Sequence, residues 1–281
     1  MTESVKVKAP AKINLFLEIL GKRDDGYHNV DLIMQTVSLF DTVEVSKSDG
    51  IGLECNVKAL ENGSNLCVRA AKAFFERFGI KGGCFIKLRK VIPSGAGLGG
   101  GSSDAAAVLK ALNVLYGVDS HEEELEKIAS SLGSDVPFLV RGGTARAVGT
   151  GTELIHLSPL PSFHCLIAEG KKKAPTAEAY RAADGIRDEN RRTADAMIRA
   201  IEKKDTERVW REVFNRFSCL YENDERVGIM KKNGALCAQI SGSGSSVFGI
   251  YADENSLKNA EKEIASRGFD TYTCKTINDF N

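Results

Sequence analysis

A glycine-rich stretch at residues 93–106, PSGAGLGGGSSDAA, has the composition of a loop that binds phosphate. Glycine lacks a Cβ atom, so the backbone can adopt positive φ angles and bring successive N–H groups close to an anion. The alanine-rich segment that follows predicts a helix that is capped by Ser102 or Ser103 and ends at Gly117. Free N–H groups in its first turn would add the positive end of the helix dipole. The stretch therefore predicts a phosphate site made mainly from backbone.

Two common nucleotide motifs do not describe this loop. No lysine follows the last glycine, as the mononucleotide P-loop requires. A G-x-G-x-x-G pattern passes through Gly95, Gly97 and Gly100, but residues 112–117 close a helix where a dinucleotide site would place an acidic residue after a strand. A plain flexible turn is also a poor explanation, because such a turn needs only one or two glycines.

Several side chains outside this loop are suited to catalysis or to recognition of a base. Lys12 and Asn14 lie on one face of a predicted apolar strand, where a lysine needs a charged partner, a ligand or contact with water. Asp135 either caps a short helix or presents a catalytic carboxylate on a rigid turn. Tyr27 and His28 follow a polar turn and suit stacking on a heterocycle and hydrogen bonding to it, although a packed tyrosine beside an incidental histidine is the simpler explanation of this segment alone.

The loop at residues 241–246, SGSGSS, is a second candidate for anion binding. It offers many backbone N–H and side-chain O–H donors between two apolar predicted strands. A disordered hairpin tip would have a similar composition. The loop by itself favours neither interpretation.

Apolar periodicity predicts the elements that position these residues. A helix is predicted to begin at Asn65, and Ser120 with Glu123 predicts a capping box for another helix. Strands are predicted within residues 4–20, interrupted by a turn at 9–11, and over 30–44, 51–57 and 85–88.

The run LSPLP at residues 157–161 predicts a domain boundary, which divides the chain into 1–158 and 159–281. Beyond it lies a predicted strand at 163–168. The last part of the chain then reads helix, strand, strand, helix and strand. This order predicts a split βαβ, ferredoxin-like sheet.

Charge and cysteine content exclude several classes of protein. The 281 residues carry 38 Lys+Arg and 38 Asp+Glu, so no global field attracts nucleic acid or an acidic membrane. Seven cysteines without a C-x-x-C pair indicate small buried side chains in a reducing compartment, and neither a disulfide framework nor a zinc site. No apolar run is long enough for a bilayer, and the first residues do not resemble a signal peptide. We expect a cytoplasmic protein without nucleic-acid or membrane partners.

Three stretches resemble, in order, the three motifs of the GHMP kinases, the superfamily of galactokinase, homoserine kinase and mevalonate kinase. They are PAKINLFL at 10–17, PSGAGLGGGSSDAA at 93–106 and ISGSGSSVF at 240–248. The resemblance implies an α+β protein with an N-terminal domain of the ribosomal protein S5 domain 2-like type and a ferredoxin-like C-terminal domain. ATP would bind in the cleft between them.

Two further segments are similar to the branch of this superfamily that phosphorylates a cytidine diphosphate sugar alcohol. They are KINLFLEILGKRDDGYHNVDLIMQTV at 12–37 and GSDVPF at 133–138. The resemblance implies an ATP-dependent kinase, with Mg²⁺ as a second cofactor, that acts on the 2-hydroxyl of 4-diphosphocytidyl-2-C-methyl-D-erythritol. The protein would work as a monomer or a homodimer. The sequence departs from this pattern at residues 171–174 and 215–217. Two alternatives therefore stay open. The protein could be a kinase of another small alcohol, homoserine-like or mevalonate-like, or an inactive nucleotide-binding paralogue.

The resemblance also implies a role for individual residues. Asp135 matches the catalytic base and Lys12 the lysine beside it, while Asn14 would orient the acceptor. Tyr27 and His28 match the cytosine site. The remaining implied substrate contacts are Thr176, Tyr180, Ser243 and Gly244. The implied ATP contacts are Pro93, Gly95, Gly97, Leu98, Gly99, Gly100, Gly101, Ser102, Ser103 and, at the adenine, Asn65. No protein ligand to a metal is implied.

Overall fold

Two β-sheets organise the molecule, and the computed structural model describes residues 4–170, 176–185, 191–221 and 223–280, without the side chains of residues 176 and 177. The strands are β1 (Ser4–Lys22), β2 (His28–Ser48), β3 (Gly52–Cys55), β4 (Gly83–Arg89), β5 (Thr144–Gly149), β6 (Glu153–His156), β7 (His164–Ala168), β8 (Phe214–Asn215), β9 (Cys237–Ile240), β10 (Val247–Tyr251) and β11 (Thr271–Lys275). The helices are α1 (Leu66–Phe78), α2 (Gly100–Leu115), α3 (Glu122–Ser130), α4 (Val136–Arg141), α5 (Thr176–Asp184), α6 (Asp195–Glu202), α7 (Thr206–Arg211), α8 (Glu225–Lys232) and α9 (Glu254–Ser266). The larger sheet contains β1 to β6 and β8, and the smaller sheet contains β7 and β9 to β11.

The antiparallel pair of β1 and β2 forms the centre of the larger sheet. The predicted turn at residues 9–11 is wrong, because β1 continues through it with a shift of register between Pro10 and Ala11. An irregularity in the ladder tolerates a proline, which has no N–H group to donate. Lys12 and Asn14 follow directly on the same strand, and both are buried.

Helix α2 begins earlier than predicted, at the end of the phosphate loop. Its first residue is Gly100, and its N-cap is Gly99, which has a φ of 70° and makes no side-chain bond. The prediction that Ser102 or Ser103 caps this helix is therefore wrong. The left-handed conformation of Gly99 lets the chain turn into the helix without a capping side chain, so both serines lie inside the first turns.

The predicted capping box at the start of α3 is also wrong. The helix begins at Glu122 after His121, without a capping side-chain bond. Ser120 is instead held by α2, because its backbone N–H donates to Asn113 Oδ1 at 3.0 Å and its carbonyl accepts from Asn113 Nδ2 at 3.0 Å. A tertiary contact has replaced the local one that the spacing suggested.

The smaller sheet has the order β11-β7-β10-β9, and every neighbouring pair is antiparallel. Helix α8 precedes β9, and α9 connects β10 to β11. One strand is thus inserted between the two strands of each βαβ unit, which is the ferredoxin-like arrangement. The prediction of a split βαβ sheet is confirmed.

An apolar core lies between the two sheets. Ile13 and Leu15 of β1 share this cluster with Ile167, Phe248 and Ile250 of the smaller sheet. The short strand β8 also returns to pair with β1 in parallel. Strand β8 lies after residue 158 but belongs to the larger sheet. The division of the chain into domains 1–158 and 159–281 stays a prediction.

The cysteines agree with the prediction of small buried side chains. All seven are free, and each is buried except Cys219, which is half-buried. Within the described ranges, no helix combines the length and apolar character needed to cross a membrane.

Candidate active site

A cavity of about 780 Å³ lies where the loops of the two sheets meet. Its size is that of a site for a small molecule. Among the residues selected from the sequence, the cavity is lined by Lys12, Asn14, Tyr27, His28, Pro93, Gly95, Gly97, Gly99, Gly100, Gly101, Ser102, Asp135, Tyr180 and Ser243. Segments that are far apart in the chain therefore contribute to a single site.

The phosphate loop and the serine loop at residues 241–246 pack directly against each other. Ser241 Oγ donates to the carbonyl of Gly97 at 2.9 Å, and the Ser246 N–H donates to the carbonyl of Ala96 at 3.2 Å. A Cβ atom on Gly97 would overlap the Ser241 carbonyl oxygen, so only glycine permits this contact. The serine loop is buried, which contradicts the alternative of a disordered hairpin tip.

Asn215 joins the serine loop to the larger sheet. It is fully buried on β8, and its Nδ2 donates to the carbonyls of Ile240 at 3.0 Å and Gly242 at 2.9 Å. Its Oδ1 accepts from the Phe217 N–H at 2.9 Å. The sequence marked residues 215–217 as a departure from the family pattern, and the structure shows that this segment supports the wall of the cavity.

Lys12 links the phosphate loop to the candidate base. Its backbone N–H donates to the Leu98 carbonyl at 2.9 Å. Its side chain packs against Gly99 so closely that a Cβ atom added to Gly99 would lie 2.9 Å from Lys12 Cγ. The Nζ atom donates to Asn14 Oδ1 at 2.7 Å and lies 3.4 Å from Asp135 Oδ2. The buried lysine therefore has a charged partner, and the alternative of an edge-strand lysine in water is wrong.

Asp135 immediately precedes α4 but does not cap it with its side chain. The carboxylate is one-third exposed and faces Lys12 within the cavity. An ionised carboxylate in this position can accept a proton from a bound hydroxyl group, and the adjacent ammonium can stabilise developing negative charge. The structure therefore favours the catalytic interpretation of Asp135 over the capping one.

The opposite end of the cavity carries aromatic rings. The His28 ring stacks on Tyr180 with centroids 4.8 Å apart and an angle of 26°, and Tyr180 contacts Phe217 edge to face at 5.0 Å. Burial raises the pKa of Tyr180 to about 12, so its phenol is neutral at physiological pH. Tyr27 lines the same end and is 66% exposed. Together these rings provide stacking surfaces for a planar heterocycle.

Asp184 is a residue of this end that sequence reasoning missed. Its Oδ1 lies 2.7 Å from His28 Nε2, and both residues line the cavity. An ionised carboxylate only accepts, so Nε2 carries the proton and the tautomer of His28 is set. The signal was available, because Asp184 lies four residues after Tyr180 on a helix and shares its face.

Four predicted contacts lie outside the cavity wall. Asn65 caps α1, accepting from Cys67 N–H at 2.9 Å, while its neighbour Leu66 lines the cavity. Leu98 is buried in the core between the sheets. Ser103 is also buried, and its Oγ has no partner among the described residues. Gly244 packs against Tyr221, and the side chain of Thr176, like residues 171–174, lies outside the described part of the chain.

Comparison with known families decides the class of this protein. The model for the GHMP kinases N terminal domain matches residues 65–143, and that for the GHMP kinases C terminal domain matches residues 195–270. This chain belongs to the GHMP kinase family. The predicted α+β fold with two GHMP kinase domains is thereby confirmed, and this GHMP kinase is an ATP-dependent phosphotransferase.

Two curated relatives of this GHMP kinase carry the same enzyme name. It is 39% identical over 267 residues to 4-diphosphocytidyl-2-C-methyl-D-erythritol kinase of Caldicellulosiruptor bescii, which covers 92% of this chain and 93% of the relative. It is 35% identical over 281 residues to the enzyme of the same name from Clostridium botulinum strain Alaska E43, with 96% and 99% covered. A crystal structure of 4-(cytidine 5'-diphospho)-2C-methyl-D-erythritol kinase matches with a TM-score of 0.80 at 32% identity and covers 96% of this chain and 98% of that one.

Proposed function

We propose that this GHMP kinase transfers the γ-phosphoryl group of ATP to the 2-hydroxyl of 4-diphosphocytidyl-2-C-methyl-D-erythritol, in the methylerythritol phosphate route to isoprenoid precursors. One observation carries the proposal: a single cavity has a phosphate loop at one end, aromatic rings at the other, and the Lys12–Asp135 pair among its lining residues. ATP would occupy the phosphate loop, and an acceptor with a base and an alcohol group would reach from the aromatic rings to the Lys12–Asp135 pair. The names of the relatives agree with this choice.

The phosphate loop fits the polyphosphate of ATP. Gly95, Gly97 and Gly99 have positive φ angles, so the loop presents backbone N–H groups to the cavity before α2 begins. The first turn of α2 adds its own free N–H groups. Ser103 is buried outside the cavity wall and stays a predicted ATP contact. We place the adenine beside Asn65, next to the cavity-lining Leu66.

We propose that magnesium enters with the nucleotide. Mg²⁺ usually keeps several waters and binds through substrate phosphates and one or two carboxylates. As part of the Mg–ATP substrate, the ion would neutralise phosphate charge, and we assign it no protein ligand.

Lys12 and Asp135 perform the proton transfer and the charge stabilisation. Asp135 accepts the proton of the acceptor hydroxyl while that oxygen bonds to the γ-phosphorus and the bond from the γ-phosphorus to the bridging oxygen breaks. The electron pair of the broken bond stays on the terminal phosphate of ADP. Lys12 stabilises the charge that spreads over the transferred group, and Asn14 holds the ammonium of Lys12 in place.

The aromatic end selects the acceptor. Tyr27 and Tyr180 offer faces on which cytosine stacks, and His28, held by Asp184 through Nε2, uses Nδ1 to read an edge of the base. Homoserine and mevalonate contain no base and would leave this end without a ligand. Asn14, as an orienting group for the acceptor, and Thr176, Ser243 and Gly244 stay proposed substrate contacts. The cytoplasmic location and a monomeric or homodimeric state stay predictions.

The deciding experiment is a coupled assay of ADP release with Mg–ATP and three acceptors: 4-diphosphocytidyl-2-C-methyl-D-erythritol, homoserine and mevalonate. We expect turnover with the cytidylylated alcohol alone, and phosphorus NMR of the product should show a new phosphomonoester on the 2-hydroxyl. Turnover with either of the other alcohols would overturn the proposed acceptor. A protein that binds ATP but phosphorylates none of the three would overturn the proposal as well.

A further inference from the structure

Three charged side chains form a buried cluster under the start of α2. Lys90 Nζ donates to Asp104 Oδ2 at 2.6 Å and also to Asp41 Oδ2. All three side chains are at most 5% exposed. A Cβ atom on Gly100 would lie 3.1 Å from Lys90 Nζ, so the ammonium is directly against the first residue of the helix. The cluster therefore touches the end of the phosphate loop without lining the cavity.

The cluster ties both ends of the phosphate loop to the larger sheet. Asp41 lies on β2, Lys90 follows β4 where the chain leaves the sheet, and Asp104 lies on α2 beyond the loop. Asp41 Oδ1 also accepts from the backbone N–H of Val91 and, at 2.8 Å, from that of Ile92. One carboxylate and one ammonium thus hold the segment that leads into the loop and the helix that leaves it.

The charges of the cluster do not balance if both carboxylates are ionised. Asp41 receives Lys90 and two backbone N–H groups, whereas Asp104 receives Lys90 only and its Oδ1 is buried without a partner among the described residues. The carboxylate with fewer donors is the one that takes a proton. Burial, which outweighs the opposing effect of Lys90, raises the pKa of Asp104 to about 8, and the charge of Asp41 contributes to this increase.

The other titratable groups beside this cluster do not supply a compensating charge. Cys67 of α1 interacts with Asp104, Asp41 and Lys90, and burial raises its pKa, so its thiol stays neutral. The remaining titratable group that interacts with Cys67 is the thiol of Cys55 on β3. Burial lowers the pKa of Lys90, but the neighbouring Asp104 and Asp41 outweigh burial and raise this pKa overall, which keeps the ammonium charged. The net charge of the cluster is therefore set by the proton on Asp104.

We propose that Asp41, Lys90 and Asp104 are positioning residues for the phosphate loop, and that Asp104 holds a proton so that the cluster is electrically neutral beneath the ATP phosphates. The proposal rests on the proposed binding of ATP at this loop. A neutral cluster holds the loop in its binding conformation without repelling the polyphosphate. Loss of the proton would leave one net negative charge within a few turns of the bound phosphates.

The first test follows ATP binding by calorimetry as the pH is raised through 8. In the wild type, the dissociation constant should rise about tenfold, because one added charge acts across a partly buried distance on the order of 10 Å. In Asp104→Asn the amide mimics the protonated acid in size and charge, so this component of the pH dependence should be absent. Identical pH profiles for the two proteins would overturn the assigned proton. Infrared difference spectra provide a second readout, since the wild type should show a protonated carboxyl band below pH 8 that Asp104→Asn lacks.

The second test separates positioning from general stability. Asp41→Asn should raise the dissociation constant and the KM for ATP about tenfold, while kcat and the affinity for cytidine monophosphate change much less. Asp31→Asn is the matched control, because Asp31 lies on the same strand, is 2% exposed and pairs with Arg146 away from the loop. Equal losses of ATP affinity in both variants would overturn the positioning role.

A third variant covers the case in which Asp41→Asn does not fold. Lys90→Arg keeps the charge but places a larger, planar group against Gly100, so ATP affinity should fall with the acceptor site intact. Unchanged ATP affinity in a folded Lys90→Arg protein would contradict the proposal. These binding measurements need no acceptor, so they remain decisive for the cluster even if the enzyme phosphorylates a different alcohol.

Discussion

The two ends of the cavity offer their proposed ligands different kinds of contact. At the phosphate end, residues 93–101 present backbone groups and are packed against the buried loop at 241–246. At the aromatic end, side chains face the cavity, and Tyr27 and Asp184 are substantially exposed. A phosphate needs only N–H donors, which every residue type except proline supplies. A base must be distinguished by the shape and hydrogen bonding of particular side chains.

The two ends also differ in how they are held. Buried charges and backbone bonds fix the phosphate loop to β2 and α2, while the hydrogen bond to Asp184 and stacking on Tyr180 orient His28. We therefore expect substitutions at the aromatic end to change the acceptor without disturbing the loop.

The largest effect is expected between the two ends, at the candidate base. Asp135→Asn removes the proton acceptor while preserving the size of the side chain, so kcat should fall by about 10²- to 10⁴-fold. Steady-state kinetics would measure this loss. The dissociation constant of ATP and the melting temperature serve as controls and should change little. A variant with near-normal turnover would show that Asp135 is not the base.

A methyl group in the phosphate loop should break the phosphate end selectively. Gly97→Ala would force the loop away from Ser241, so the KM for ATP should rise more than tenfold while the affinity for the cytidine ligand is retained. Gly95→Ala is the matched control, because Gly95 also has a positive φ but no atom lies within 4 Å of its added Cβ. Its backbone strain alone should cost about 1–2 kcal/mol of folding free energy. Equal kinetic effects of the two changes would show that strain, and not the loop contact, matters.

Removal of an aromatic ring should break the other end selectively. Tyr27→Ala should raise the KM for the cytidylylated acceptor about tenfold, since stacking of a base on an aromatic side chain is worth about 1–3 kcal/mol. The KM for ATP should stay constant, as measured in the same coupled assay. A parallel increase in both KM values would contradict the separation of the two ends.

The smallest effect is expected at Asp184, which acts through His28. Asp184→Ala should raise the KM for the acceptor a few-fold by releasing the imidazole from its orientation. In a double-mutant cycle with His28→Ala, the second change should have little further effect, because both remove the same contact. Additive losses would indicate that Asp184 acts independently of His28.

The sequence alone determined the local features of the site. The glycines of residues 93–101 and the helix after them are consecutive, so their composition was enough to predict a phosphate loop. The order of elements at the end of the chain likewise predicted the smaller sheet. Lys12 and Asp135 could be selected because each is unusual in its own segment, and the family resemblance then assigned their roles.

The tertiary structure decided everything that depended on contacts between distant segments. The sequence suggested Ser102 or Ser103 as the helix cap, but the position of Lys12 against Gly99 and the φ of that glycine set the start of α2. Asp41 and Lys90, which pair in the buried cluster, are 49 residues apart in the chain. Neither residue stands in a sequence segment with an unusual pattern. Local propensity reports the cost of one backbone conformation, whereas burial and charge pairing depend on which segments the fold brings together.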